Sequence, residues 1–163
     1  MPNRFPFPHP VNETSARIVA AGAVAMSVAF VVTRNGWMLL PLTYGFLARV
    51  TTGPAFSPLG LLATKVIAPR LNVQHRFVAG PPKRFAQLLG LLFSTTASVL
   101  WLLDYGTAAR IVAAMLAGAA FLESAFAVCL GCIMFGWLIR LGAVPERVCE
   151  QCDNLNLRPT PTA

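Results

Sequence analysis

Residues 111–141 read IVAAMLAGAAFLESAFAVCLGCIMFGWLIRL, thirty-one residues whose only charged groups are Glu123 and Arg140. As one straight α-helix this run would reach about 46 Å, against a bilayer hydrocarbon core of about 30 Å. It must therefore tilt steeply, project from a membrane or break, and Gly131 is the expected place for the break. A run this apolar points to an all-α integral membrane protein.

The rest of the chain agrees. Of 163 residues 56% are apolar and only 12% are charged, about half the charge of an average soluble domain. Ala16–Val32 is an uncharged-core run of seventeen residues, with Asn12, Thr14 or Ser15 as its cap. Small residues over Ala21–Ala25 resemble a cleavage site, but the apolar run continues past them, so a retained helix is expected. Gly36–Thr52 is a second crossing provided that Trp37 anchors one interface and Arg49 snorkels to the other. Gln87–Leu103 is a third, and its hydroxyl residues Ser94, Thr95, Thr96 and Ser98 suggest a face turned toward other helices.

Between the second and third runs, Ser57-Pro58 is a helix-start signal, followed at helical spacing by Leu59, Leu62, Ala63, Val66 and Ile67. The spacing predicts a short helix over about 57–69, either in the headgroup region or packed across the ends of the other helices. The organisation expected is an extended arm over 1–15, a four-helix transmembrane domain over 16–141 and a tail over 142–163.

The net charge of +7 raises the question of nucleic acid. The cations lie between apolar runs, with no aromatic residues interleaved as stacking platforms, so membrane topology accounts for them and nucleic acid does not. Eleven of the thirteen Lys and Arg fall in the amino-terminal segment, the loop and its borders, or the tail, while only Arg34 and Arg110 fall on the opposite side. The positive-inside rule then gives four crossings with both termini cytoplasmic. The lipid bilayer is the first partner implied.

Four cysteines form two pairs, Cys129-Leu130-Gly131-Cys132 and Cys149-Glu150-Gln151-Cys152. Thiol-disulfide exchange uses such pairs, one cycling between dithiol and disulfide and a second passing electrons on to a thioredoxin-like or sulfur-carrier protein. Four-thiolate zinc is the rival, because sixteen residues separate Cys132 from Cys149. Simple packing of small residues where helices meet is the third reading.

Glu123 stands about twelve residues into the fourth run, near mid-membrane. A carboxylate there requires a partner, hydration or a proton, so it marks a functional position by default: a proton carrier, or part of a small-ligand or ion pathway. Tyr44, Thr43 and the third-helix hydroxyls are the expected partners. On one ideal helix Glu123 points about 120° away from Cys129. Ala114/Gly118 and Ala113/Ala117 give small-xxx-small spacing for close helix packing. No GxGxxG, P-loop or HExxH is present, and His9 and His75 lie in polar flanks, which argues against nucleotide enzymes and zinc hydrolases.

VNETSARI, SPLGLL, GPPKRFAQ and CLGC together resemble a bacterial family of small membrane proteins catalogued as a domain of unknown function. The resemblance spans roughly Val11–Leu141 and leaves out the tail pair. It implies a four-helix protein of the bacterial inner membrane and supplies no reaction.

Overall fold

The computed structural model describes residues 11–53, 56–67, 70, 77–78 and 80–142. Most of the amino-terminal arm, and the tail with Cys149 and Cys152, lie outside the described residues. The described chain is helical apart from a two-residue antiparallel pairing, β1 (Val11–Asn12) with β2 (Phe77–Val78). Its helices are α1 (Glu13–Thr33), α2 (Leu39–Thr52) after a 3-10 turn at Gly36–Met38, α3 (Pro58–Leu61), α4 (Gly80–Leu102), α5 (Gly106–Phe126) and α6 (Leu130–Arg140). Three of them, α1, α4 and α5, are long and apolar enough to cross a membrane.

α5 packs along α1 and α4, and α4 packs along α2. Small residues make the closest of these contacts possible: Ala16, Ala20, Ala23 and Ser27 of α1 and Ala109, Ala113, Ala117 and Ala120 of α5 are all buried. Close backbone approach then replaces large side chains as the source of dispersion contact. The Ala113/Ala117 face is the one used, whereas Gly118 has open space beside it. Large apolar side chains instead point outward, among them Val32, Leu40, Leu92, Leu102, Ile111 and Phe121. An exposed apolar surface of this extent is what a lipid-facing protein presents.

Several boundaries differ from those expected. α4 starts at Gly80, seven residues before the predicted Gln87, with Pro81 and Pro82 in the first turn, where a missing amide proton costs little. Lys83 and Arg84 therefore belong to the helix and not to a loop. The long fourth run does break, but before Gly131: Ala127 is left-handed at φ 58° and ends α5. Gly131 has another role. A Cβ there would lie 2.6 Å from the Ala86 Cα, so its missing side chain lets α6 press against α4. We expect Gly131→Ala to destabilise the protein by about 1–3 kcal/mol in detergent unfolding, the range for overpacking. Gly136→Ala, with nothing within 4 Å of the added methyl, is the neutral control.

The predicted short helix is present. Ser57 caps it by accepting the Gly60 N–H at 3.2 Å, Pro58 stands at its start, and the chain continues as a π-type turn over Leu62–Ile67. It seats Leu59 against Gly22 of α1 and buries Ala63, while Leu62 and Val66 stay exposed.

Candidate functional site

Five cations tie the helices together, and three of them act on carbonyls near helix ends. Arg17 Nε donates to the Ser124 carbonyl at 2.9 Å and its Nη2 to that of Ala125 at 3.0 Å. Arg84 Nε donates to the Val50 carbonyl at 3.1 Å, and Arg110 Nε to that of Val31 at 3.1 Å. Carbonyls in a last helical turn lack intrahelical donors and carry the negative end of the dipole, which suits a guanidinium there.

The fourth cation, Lys83, reaches inward. Its Nζ makes an ion pair with Glu123 Oε1, and the two side chains are 8% and 15% exposed. This corrects two expectations. Glu123 is not at mid-helix but in the last turn of α5, because that helix begins at Gly106 and ends at Phe126. Its hydrogen-bond partner among the described residues is Lys83, not Tyr44, Thr43 or the α4 hydroxyls. Tyr44 donates to the Phe56 carbonyl, and Thr43 bonds Ser98 at 3.2 Å. Ser94, Thr96 and Ser98 turn back onto carbonyls of their own helix, the habit of hydroxyls in a helix interior.

Arg49 does not snorkel. Its residue exposure is 5%, Nε donates to Gln87 Oε1 at 2.9 Å, and the guanidinium carbon sits 4.5 Å from the centre of the Phe46 ring. Nη1 and Nη2 are buried with no hydrogen-bond partner among the described residues, and Glu123 lies within electrostatic reach. Stacking on an aromatic face offsets part of the cost of burying this cation.

Past the break at Ala127, Cys129 becomes the N-cap of α6. Its backbone is extended (φ −91°, ψ 100°), and its Sγ accepts the Cys132 N–H at 3.3 Å. The two sulfurs are joined as a disulfide across a Cα–Cα distance of 5.2 Å, a usual separation for such a bond. Both residues are half-buried. They line a pocket of about 490 Å³ together with Glu13, Pro82, Lys83 and Ile133, a volume within the usual range of ligand sites. The helix break thus undoes the 120° separation expected on one continuous helix: Lys83 bonds Glu123 and also borders the cysteine pocket. Nothing in the sequence pattern reveals that bridge except the odd placement of a lysine just after two prolines at a helix start.

The description "Domain of unknown function (DUF4395)" belongs to a family that matches residues 11–140. The chain belongs to that family. The matched stretch takes in α1 to α6, and with them Arg49, Lys83, Glu123, Cys129 and Cys132; the tail pair Cys149 and Cys152 falls outside it. No curated protein and no solved structure matches the chain. Among the described residues no three His, Cys, Asp or Glu side chains group as a metal site. The family domain therefore carries one cysteine pair, and a four-thiolate site would need the second pair from outside it.

Proposed function

We propose that this DUF4395 protein is a membrane thiol-disulfide redox protein, in which Cys129 and Cys132 cycle between disulfide and dithiol at the cytoplasmic face of a bacterial inner membrane. The observation that carries this reading is the cysteine pair at the start of α6, with the Cys129 sulfur receiving a helix N-terminal N–H. A Cys-x-x-Cys motif, a helix N-terminus and a nearby lysine each favour a thiolate, and here they coincide. Exchange with an outside dithiol is the reaction such a pair performs, and a thioredoxin-like or sulfur-carrier protein is the matching partner. Cys149 and Cys152 would deliver or resolve electrons from the tail.

Four crossings belong to the same proposal. The 3-10 turn and α2 together span residues 36–52, about 27 Å from their rises per residue. That is close to the hydrocarbon thickness. Trp37, Leu40, Tyr44 and Leu47 are exposed along this segment, which suits a helix facing lipid. With α2 crossing, α1, α2, α4 and α5 form a four-helix bundle, and the cation bias along the chain places both termini in the cytoplasm.

The test is an acid-quenched thiol trap on sealed membrane vesicles of known sidedness, using a membrane-impermeant maleimide with and without prior reduction. A Cys129–Cys132 disulfide that a reductant opens, with the thiols then labelled only from the cytoplasmic face, is the expected outcome. Cysteines that stay reduced and resist labelling until a chelator is added would instead be zinc ligands, and the redox reading would be wrong. Labelling only from the opposite face would overturn the topology.

A further inference from the structure

Two cations and one carboxylate are buried together at the inner ends of α2, α4 and α5: Arg49, Lys83 and Glu123. Of the chain's six acids, Glu146, Glu150 and Asp153 lie in the tail and Asp104 follows α4 at the other end of the helices. Glu13 borders the cysteine pocket and is half-buried. Arg17, on the same side, is exposed and engaged with carbonyls. Among the described residues the buried group therefore holds one positive charge more than it has anions to match. A buried charge without a counter-charge is costly. The cysteine pair borders the same lysine and can supply an anion, being neutral as a disulfide and negative as a thiol–thiolate.

Resting on the redox reading above, we propose that Lys83 is the counter-cation of the reduced site: on reduction its ammonium turns from Glu123 to a Cys129 thiolate, and Arg49 takes over Glu123. The donor class is a dithiol, such as the reduced partner named above. Its two sulfurs form a disulfide while the Cys129–Cys132 bond breaks, and two electrons pass to the cysteine pair. Of the two protons released, one stays on Cys132 and the other goes to water, leaving Cys129 as thiolate. Each anion then has one cation, with Lys83 serving Cys129 and Arg49 serving Glu123. The Nη atoms of Arg49, which have no hydrogen-bond partner among the described residues, are what equip it for that exchange. Lys83 is positioned for its part because it already borders both the cysteine pocket and the carboxylate.

The direction of each substitution follows from the exchange. Lys83→Gln removes the thiolate's counter-cation while leaving Arg49 to match Glu123, so the protein stays folded and the disulfide becomes harder to reduce. Lys83→Arg restores the charge. Arg49→Gln leaves Glu123 holding Lys83 in both states, which also disfavours the reduced form. Glu123→Gln frees Lys83 for the sulfur and acts oppositely.

The experiment equilibrates the full chain in nanodiscs against glutathione buffers and reads the oxidised fraction by alkylation and mass. We expect Lys83→Gln to shift the equilibrium at least tenfold toward disulfide, which is about 30 mV for two electrons. Lys83→Arg should stay within threefold of the parent, and Arg49→Gln should shift in the same sense as Lys83→Gln. Should Glu123→Gln not fold, these three variants suffice. Equilibria unmoved by Lys83→Gln, or Lys83→Arg behaving like Lys83→Gln, would overturn the proposal while leaving the redox reading intact. A parent protein that forms no reducible disulfide would overturn the redox reading itself.

Discussion

Glu123→Gln is expected to be the most damaging single polar substitution in the chain, lowering stability by about 3–5 kcal/mol, the cost of leaving a buried charge without its partner. The Lys83–Glu123 pair is nearly enclosed, and the Arg49 guanidinium beside it has no other carboxylate among the described residues. Removing the carboxylate leaves two buried cations facing each other across the same helices. Removing a cation does the reverse, so Lys83→Gln should cost far less than Glu123→Gln although it breaks the same ion pair. In the double variant Lys83→Gln/Glu123→Gln one cation remains, and most of the loss should be recovered. A double-mutant cycle of thermal unfolding in detergent measures this asymmetry directly. Equal losses for the two single variants would mean that Arg49 does not share the carboxylate.

Helix positions were legible in the sequence where the apolar runs are clean. α1 lies within three residues of its expected span at each end, and Ser57-Pro58 begins a helix as cap chemistry requires. What the pattern hid were the charged residues that sit inside helices. Lys83 and Arg84 look like the polar end of a loop, yet two prolines start α4 ahead of them. Arg110 looks like an outer boundary, yet it is the fifth residue of α5 and bonds back to α1. With α5 beginning at Gly106 and ending at Phe126, Glu123 falls in the last turn and not at mid-helix. Arg49 looks like a snorkelling cation because the sequence shows only its distance from Trp37; the Gln87 amide and the Phe46 ring that hold it inside are contacts of tertiary origin.

The candidate site was half legible for the same reason. A pair of cysteines three residues apart and an acid in an apolar run are sequence signals. Their connection is not, because it depends on a left-handed residue at Ala127 that turns the chain before Cys129. Alanine in that conformation costs about 1–2 kcal/mol, and no glycine or asparagine flags the position. The break converts Cys129 from a mid-helix residue into an N-cap, and so changes its chemistry from packing to a thiol facing helix N–H groups.

That placement makes the two cysteines unequal, and the inequality should be large. With Cys132→Ser, Cys129 remains at the cap of α6, where the N–H of residue 132 still points at its sulfur and Lys83 borders the same pocket. With Cys129→Ser, the surviving Cys132 lies within the first turn, while a serine occupies the cap and takes that N–H. The thiolate is the reactive form, and a helix N-terminus with a lysine beside it favours the thiolate. Cys132→Ser should therefore react with iodoacetamide several-fold faster at pH 7 than Cys129→Ser, a lower-pKa thiolate being more abundant but individually less nucleophilic, and should accumulate a mixed disulfide with oxidised glutathione that Cys129→Ser does not. Both variants keep the α6 contacts with α4 through Gly131 and the tilted ring pair of Phe85 and Phe135, with centroids 5.6 Å apart, so a difference between them reports on the sulfur and not on the fold. Equal rates would mean that the start of α6 does not activate Cys129, and Cys132 would serve equally well as the attacking thiol of the proposed exchange.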